Sequence, residues 1–177
     1  MQHIVEAVAD ATNKAICEFV NGCDETVYAV ALIPSSVGDH VHCAIATEER
    51  LVSSAERYKN NLDSTTKQIW LRWANSDDGW FQDTHKYFEA ASALLSDAIR
   101  DGQLSEFDER VVKMLCEALS IVAESVSANI DAVFSVTHGE EPQEFLHWAS
   151  RINDRQKVDR LQSEFAASQK AEAQILI

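Results

Sequence analysis

Glycine and proline are scarce in this sequence, at five and two residues of 177. With so little turn punctuation, the chain is expected to build long regular elements joined by short loops. No apolar run approaches the ~20 residues that a membrane-spanning helix needs. Glu6 and Asp10 stand where a secretory leader would be basic and then apolar. A cytoplasmic protein with no membrane partner is expected. There is no glycine-rich phosphate loop, no GxSxG elbow and no HExxH helix. No catalytic residue, cofactor or metal is assigned, and the chain does not read as an enzyme. Basic residues are also few: 15 Lys and Arg face 29 Asp and Glu, a formal net charge of −14. This argues against nucleic acid, whose affinity comes from Lys and Arg on phosphates. It suits a basic protein partner and steered association. The four cysteines form no CxxC pair. Cys17, Cys43 and Cys116 lie among apolar residues and read as reduced core thiols, whereas Cys23, in an Asn-Gly-Cys-Asp turn, reads as exposed.

What is present is organised around Thr26 to Thr47. Two apolar runs, TVYAVALI and HVHCAIAT, flank the turn-rich PSSVGD, as in a β-hairpin. Strict alternation puts Tyr28, Val30 and Leu32 on one face of the first strand and Val27, Ala29, Ala31 and Ile33 on the other. The two alanines would let a helix pack close. In the second strand Val41, Cys43 and Ile45 share a face opposite His40, His42, Ala44 and Ala46.

An amphipathic helix over Gln2–Val20 carries Ile4, Val8, Ala11, Ala15 and Phe19 at helical spacing. After the hairpin, Thr47 reads as an N-cap with Glu48 and Glu49 at the positive end of a helix running to about Leu62. Ile69, Leu71 and Trp73 alternate and predict a third strand. Helices follow from about Asp83 to Ile99 and from Ser105 to about Ser127, the latter with Ser105 as cap and Asp108 at the capping-box position. DAVFSVT over 131–137 predicts a fourth strand. Helices over Gln143–Ile152 and from about Asp154 onward complete the chain. The expected fold is α+β: one domain over 1–177, with a small, mostly antiparallel sheet of about four strands and about six helices, since strands and helices do not alternate strictly. The C-terminal helix and tail, from about 154, are candidates to protrude. The apolar end, Ile175 to Ile177, is a candidate contact for a homo-oligomer.

Chemistry-bearing residues are thin. His40 and His42 share a strand face, but a metal needs further ligands. His85 and Glu89 stand four apart on one helix face, where a surface pair is the commoner outcome. Trp73 and Trp148 fall at inward positions. Trp80, after the acidic Asp77-Asp78-Gly79, is the best candidate for an exposed interface anchor. The acidic loops that would surround a partner are Asp77 and Asp78, Glu106, Asp108 and Glu109, and Glu140 and Glu141.

Several short segments, taken in order, are VYAVAL over 27–32, Ala46-Thr47-Glu48-Glu49, Arg72-Trp73, Phe134-Ser135-Val136 and Ala149-Ser150-Arg151-Ile152-Asn153. In this succession the chain resembles a bacterial family catalogued as domain of unknown function 4303, from roughly the first helix to Asn153. Members follow Arg-Trp with Ser-Pro and a nearby Trp; Ala74-Asn75 stands here instead, and Trp80 comes later. The family assigns no catalytic residues. The resemblance implies a small α+β protein similar in size and organisation to the immunity proteins of toxin systems. The expected function is thus immunity-type binding of a basic toxin domain through an acidic surface. The alternatives are a small enzyme or ligand-binding protein using the loop at His138, and an assembly subunit using its tail.

Overall fold

The computed structural model describes residues 1–58, 63–73, 79–106, 108–126, 129–137 and 142–175. Within them the chain is α+β, with a three-stranded mixed sheet between two layers of helices. Helix α1 (Gln2–Gly22) leads into β1 (Val27–Pro34) and β2 (Val41–Thr47). Then come α2 (Glu48–Arg57), α3 (Ser64–Leu71), α4 (His85–Arg100) and α5 (Glu109–Val126). Strand β3 (Val133–Val136), α6 (Pro142–Ile152) and α7 (Arg155–Ile175) follow. The sheet order is β2-β1-β3: β1 is antiparallel to β2 and parallel to β3. No described helix is long and apolar enough to cross a membrane.

The sheet is therefore smaller than expected and not mostly antiparallel. The third strand expected at Ile69–Trp73 is the end of a helix. Asp63 accepts the Thr66 backbone N–H at 3.0 Å and the Thr66 hydroxyl at 2.7 Å, nucleating α3. Leu71 is buried whereas Ile69 is exposed, which breaks the two-residue alternation. The strand expected at 131–137 is present as β3. Its partner lies far back in the chain, so the pair runs parallel across a long crossover.

The hairpin forms with one correction. Val27 pairs with Thr47 but Ala29 pairs with Ala46, leaving Tyr28 as an extra residue in a β-bulge. One extra residue exchanges faces, because side chains alternate with period two. Val27 thus joins Val30 and Leu32 in the layer covered by α1, α4 and α5. Tyr28 joins Ala29 and Ala31 in the layer covered by α2, α3, α6 and α7. The small residues on that face, Ala29, Ala31 and Ala46, meet Ala55 of α2 and Ala149 of α6, the close approach the alanines predict.

The expected stripes hold where described: Ile4, Val8, Ala11, Ala15 and Phe19 on α1, and Val111, Leu115, Leu119, Val122 and Val126 on α5, are all buried, while Phe107, expected to open the α5 stripe, lies outside the described residues. Cys17 falls off the α1 stripe and is exposed, and Cys23 is half-buried, its thiol donating to the Phe19 carbonyl at 3.2 Å. Their expected placements are reversed. Helix α5 starts three residues later than expected, at Glu109. Asp108 is itself the cap, accepting the Arg110 N–H at 2.9 Å, because Leu104 is drawn into the core ahead of it.

Both outer edges of the sheet are closed by side chains. On β2, Phe81 exchanges two backbone hydrogen bonds with Ile45, at 2.9 and 2.8 Å. The Thr84 hydroxyl accepts the Cys43 N–H at 3.0 Å and donates to the Cys43 carbonyl at 2.6 Å. Ser92 accepts the Val41 N–H. On β3, the Asn153 carboxamide accepts the Phe134 N–H at 2.9 Å and donates to the Phe134 carbonyl at 2.7 Å.

Removing either closing side chain leaves buried backbone groups unpaired. Thr84→Val and Asn153→Ala are each expected to cost about 1–3 kcal/mol in urea denaturation. The two sites lie on opposite edges, roughly 10 Å apart across the strands, so the double variant should lose the sum. An unchanged midpoint for Asn153→Ala would show that α6 is held by packing alone.

Candidate functional site

Three clefts carry polar side chains. The first, about 340 Å³, lies where β1 and β3 begin. Its charged walls are locked in pairs. Arg72 forks onto Glu48 at 2.8 and 2.6 Å, lies over the Tyr28 ring at 4.6 Å, and accepts the Tyr28 hydroxyl on its carbonyl at 3.1 Å. Arg160 binds Asp131 at 2.9 Å. Glu164 accepts the Trp73 indole N–H at 3.1 Å. Burial raises the Tyr28 phenol above its ordinary value. The Arg160 guanidinium first, aided by its charge and by Lys157, lowers the Asp131 carboxyl. These pairs fix α2, α3 and α7 to the bulged strand.

The second cleft, about 560 Å³, runs along the β2 edge and brings His40, His42, His85 and Glu89 together. Sequence spacing pointed to two separate pairs; the packing of α4 on β2 merges them. No three His, Cys, Asp or Glu among the described residues are placed to hold a metal ion.

The third, about 570 Å³, opens beside the C-terminal end of β1, between the 35–38 loop, the start of α5 and α6. Open α/β sheets commonly bind ligands beyond the C-terminal ends of parallel strands. Glu109 stands exposed on the rim, 3.9 Å from Lys113. Asp108 is far less available: its side chain is 9% exposed and bound by Arg110 at 2.6 Å. Arg110 first, and then the N–H groups of Arg110 and Ser105, hold its carboxyl well below the ordinary carboxylate range. Across the cleft, the Arg151 guanidinium lies 5.1 Å above the Trp148 ring, whose other side touches the core, and His147 meets Trp148 edge-on. Trp148 is therefore half core and half site.

Of the expected partner-binding residues, Asp108 and Glu109 line this third cleft, and Glu106 is exposed in the segment leading to it. Trp80 lies elsewhere, half-buried and edge-on to Tyr28 and Phe145 at 6.3 and 6.2 Å, instead of projecting as a free anchor. Its neighbours are aromatic, and burial against them outweighs exposure. Asp77, Asp78, Glu140, Glu141 and His138 lie outside the described residues, as do Leu176 and Ile177 of the tail. Sequence reasoning missed Arg151, although its spacing three residues after Trp148 on a helix is the signal that places the two together. Cys43 and Cys116 are pushed up by burial, to about 12 and about 11, so neither is a ready thiolate.

The fold and the clefts thus define a small α+β protein whose basic side chains are largely paired with its own carboxylates. The family model described as a domain of unknown function, DUF4303, matches residues 8–154, and the chain belongs to that family. No curated protein and no solved structure matches it.

The Asp108 cap makes a pH-dependent contribution with a definite sign. A carboxyl lowered in the folded state stabilises the fold above its unfolded value, about 4, and loses that contribution as pH falls towards the folded value. Asp108→Asn should therefore be less stable than the parent at pH 7. The gap should narrow below about pH 4. Urea midpoints at pH 7 and at acidic pH check this; a gap constant across pH would exclude the Asp108 charge as its source.

Proposed function

We propose that this protein works by binding, as an immunity-type protein that holds a basic toxin domain against its acidic surface. One observation supports the reading above the others. Lys14, Arg50, Arg72, Lys86, Arg100, Arg110, Lys113, Arg155, Lys157 and Arg160 all pair with carboxylates of the chain itself. The charge of −14 is therefore an excess that only an outside cation can neutralise. The third cleft is the contact face this reading favours. Tryptophan and arginine dominate interface energetics, and Arg151 with Trp148 stands there beside the exposed carboxylate of Glu109.

The test is capture of partners from lysate of the source cells by the parent and by a Glu109→Lys, Trp148→Ala variant. One basic protein should be held by the parent and lost by the variant. Its association should slow about tenfold or more from low to high salt. Its isolated domain should arrest growth, and co-expression of the present chain should restore it. A captured protein that is harmless when expressed alone would reject the immunity reading. Salt-independent association would reject the electrostatic one.

A further inference from the structure

The second cleft holds an arrangement that neither binding nor the fold as described accounts for. His42 of β2 and His85, the first residue of α4, lie ring against ring in a tilted arrangement, with centroids 4.6 Å apart and planes 33° from parallel. The His42 Nε2 atom is sealed from solvent and has no hydrogen-bond partner among the described residues. Each imidazole sits next in sequence to a residue of the edge closure. His42 precedes Cys43, and His85 follows Thr84, whose hydroxyl makes both bonds to the Cys43 backbone. The paired rings and the hydrogen bonds that seal the strand thus occupy one point of contact between α4 and β2.

We propose that the His42–His85 pair makes this contact a proton-sensitive latch, in which proton uptake releases the start of α4 from the outer edge of β2. A neutral imidazole tolerates the site. An imidazolium there must carry a proton on Nε2, which meets no acceptor among the described residues, next to a second ring with which it cannot share a like charge; the Gln82 side chain offsets only part of that cost. The titratable and charged neighbours among the described residues are few. Glu89, one turn along α4, faces the same cleft. His40 is turned aside, its Nδ1 2.9 Å from Asp39. Burial first, and then the charge of His85, lower His42 below its ordinary 6.5, and the Gln82 side chain opposes them. A histidine lowered in the folded state contributes nothing when both states are neutral. It destabilises the closed state as pH falls through 6.5, with the full effect reached below the folded value.

Amide hydrogen exchange between pH 7.5 and 5.5 tests the latch in the intact chain. Protection of the Cys43 and Ile45 amides, corrected for the intrinsic rate, should fall as pH drops below 6.5. The limiting slope for one linked proton is about tenfold per pH unit. The Phe134 amide, on the opposite edge, should keep its protection. His42→Gln should flatten the slope at Cys43, whereas His40→Gln should leave it in place. An equal slope in the parent and His42→Gln, or a parallel loss at Phe134, would overturn the proposal. If His42→Gln does not fold, titration of the His42 ring proton by NMR in the parent decides. A midpoint at or above 6.5 overturns the latch, and one below it supports it.

Discussion

A three-stranded sheet has two outer edges and only one interior strand, so its unpaired backbone groups are a large fraction of the whole. Where both faces are covered by helices, those groups cannot all turn to water, and each orphan costs about 1–3 kcal/mol. The described edges of the sheet meet that demand. Val41, Cys43 and Ile45 are all at most 2% exposed, so hydroxyls and a backbone bridge must serve them. Asn153 does for β3 what a fourth strand would do, offering one acceptor and one donor at the spacing of a peptide group. The consequence is directional. Apolar contact alone would let α4 and α6 slide on the sheet, whereas Thr84 and Asn153 fix where the one begins and the other ends.

Electrostatics play a second positioning role at the strand-start end. Half-exposed ion pairs contribute little stability one by one. The pair between Arg72 and Glu48 matters because of what else Arg72 touches. Its guanidinium covers the Tyr28 ring and its carbonyl receives the Tyr28 hydroxyl. The bulge that turns Tyr28 into the helical layer, the start of α2 and the end of α3 are thereby tied at one residue. At the opposite end of the sheet the tight pair among the described residues, Arg110 with Asp108 at 2.6 Å, is local to the start of α5 and ties no second element. Glu109 and Lys113 stand 3.9 Å apart, and Arg151 rests on an aromatic face instead of a carboxylate. The two ends differ in how far their described charged groups tie separate elements together.

The helices were legible because their burial is periodic. The α1 and α5 stripes are clean repeats, and Thr47 announces α2 by its cap. The error at Ile69–Trp73 arose where two periods compete over five residues. Alternation there was accidental, and the deciding signal lay upstream, in the capping by Asp63. The Tyr28 bulge leaves no mark on composition, since an inserted tyrosine looks like any apolar strand residue. Strand order was not legible at all: VFSV is buried on both faces, as a parallel neighbour requires, but nothing in it names β1 as the partner. For the sites, the His85–Glu89 and His40–His42 spacings were visible, while their convergence depends on a contact across more than forty residues.

The missing fourth strand has a physical counterpart. Gly79 has φ +109°, a conformation that L side chains rarely adopt, and a Cβ there would run into the Ser54 side chain of α2, with the Arg50 carbonyl 3.4 Å away. This close passage lets the next two residues diverge to opposite sides of the sheet. Trp80 turns to Tyr28 and Phe145, while Phe81 turns to Phe19 at 5.0 Å and bridges Ile45. Opposite-facing neighbours joined by an antiparallel bridge are the local geometry of a strand. The strand ends after this one bridge because the chain reaches Thr84 and enters α4. From there the hydroxyls of Thr84 and Ser92 take over the donors and acceptors that further strand residues would have supplied. Arg50, lying 5.6 and 5.3 Å above the Phe19 and Phe81 rings, clasps the junction from α2. The helix can begin so early only because its own side chains complete the sheet that it covers.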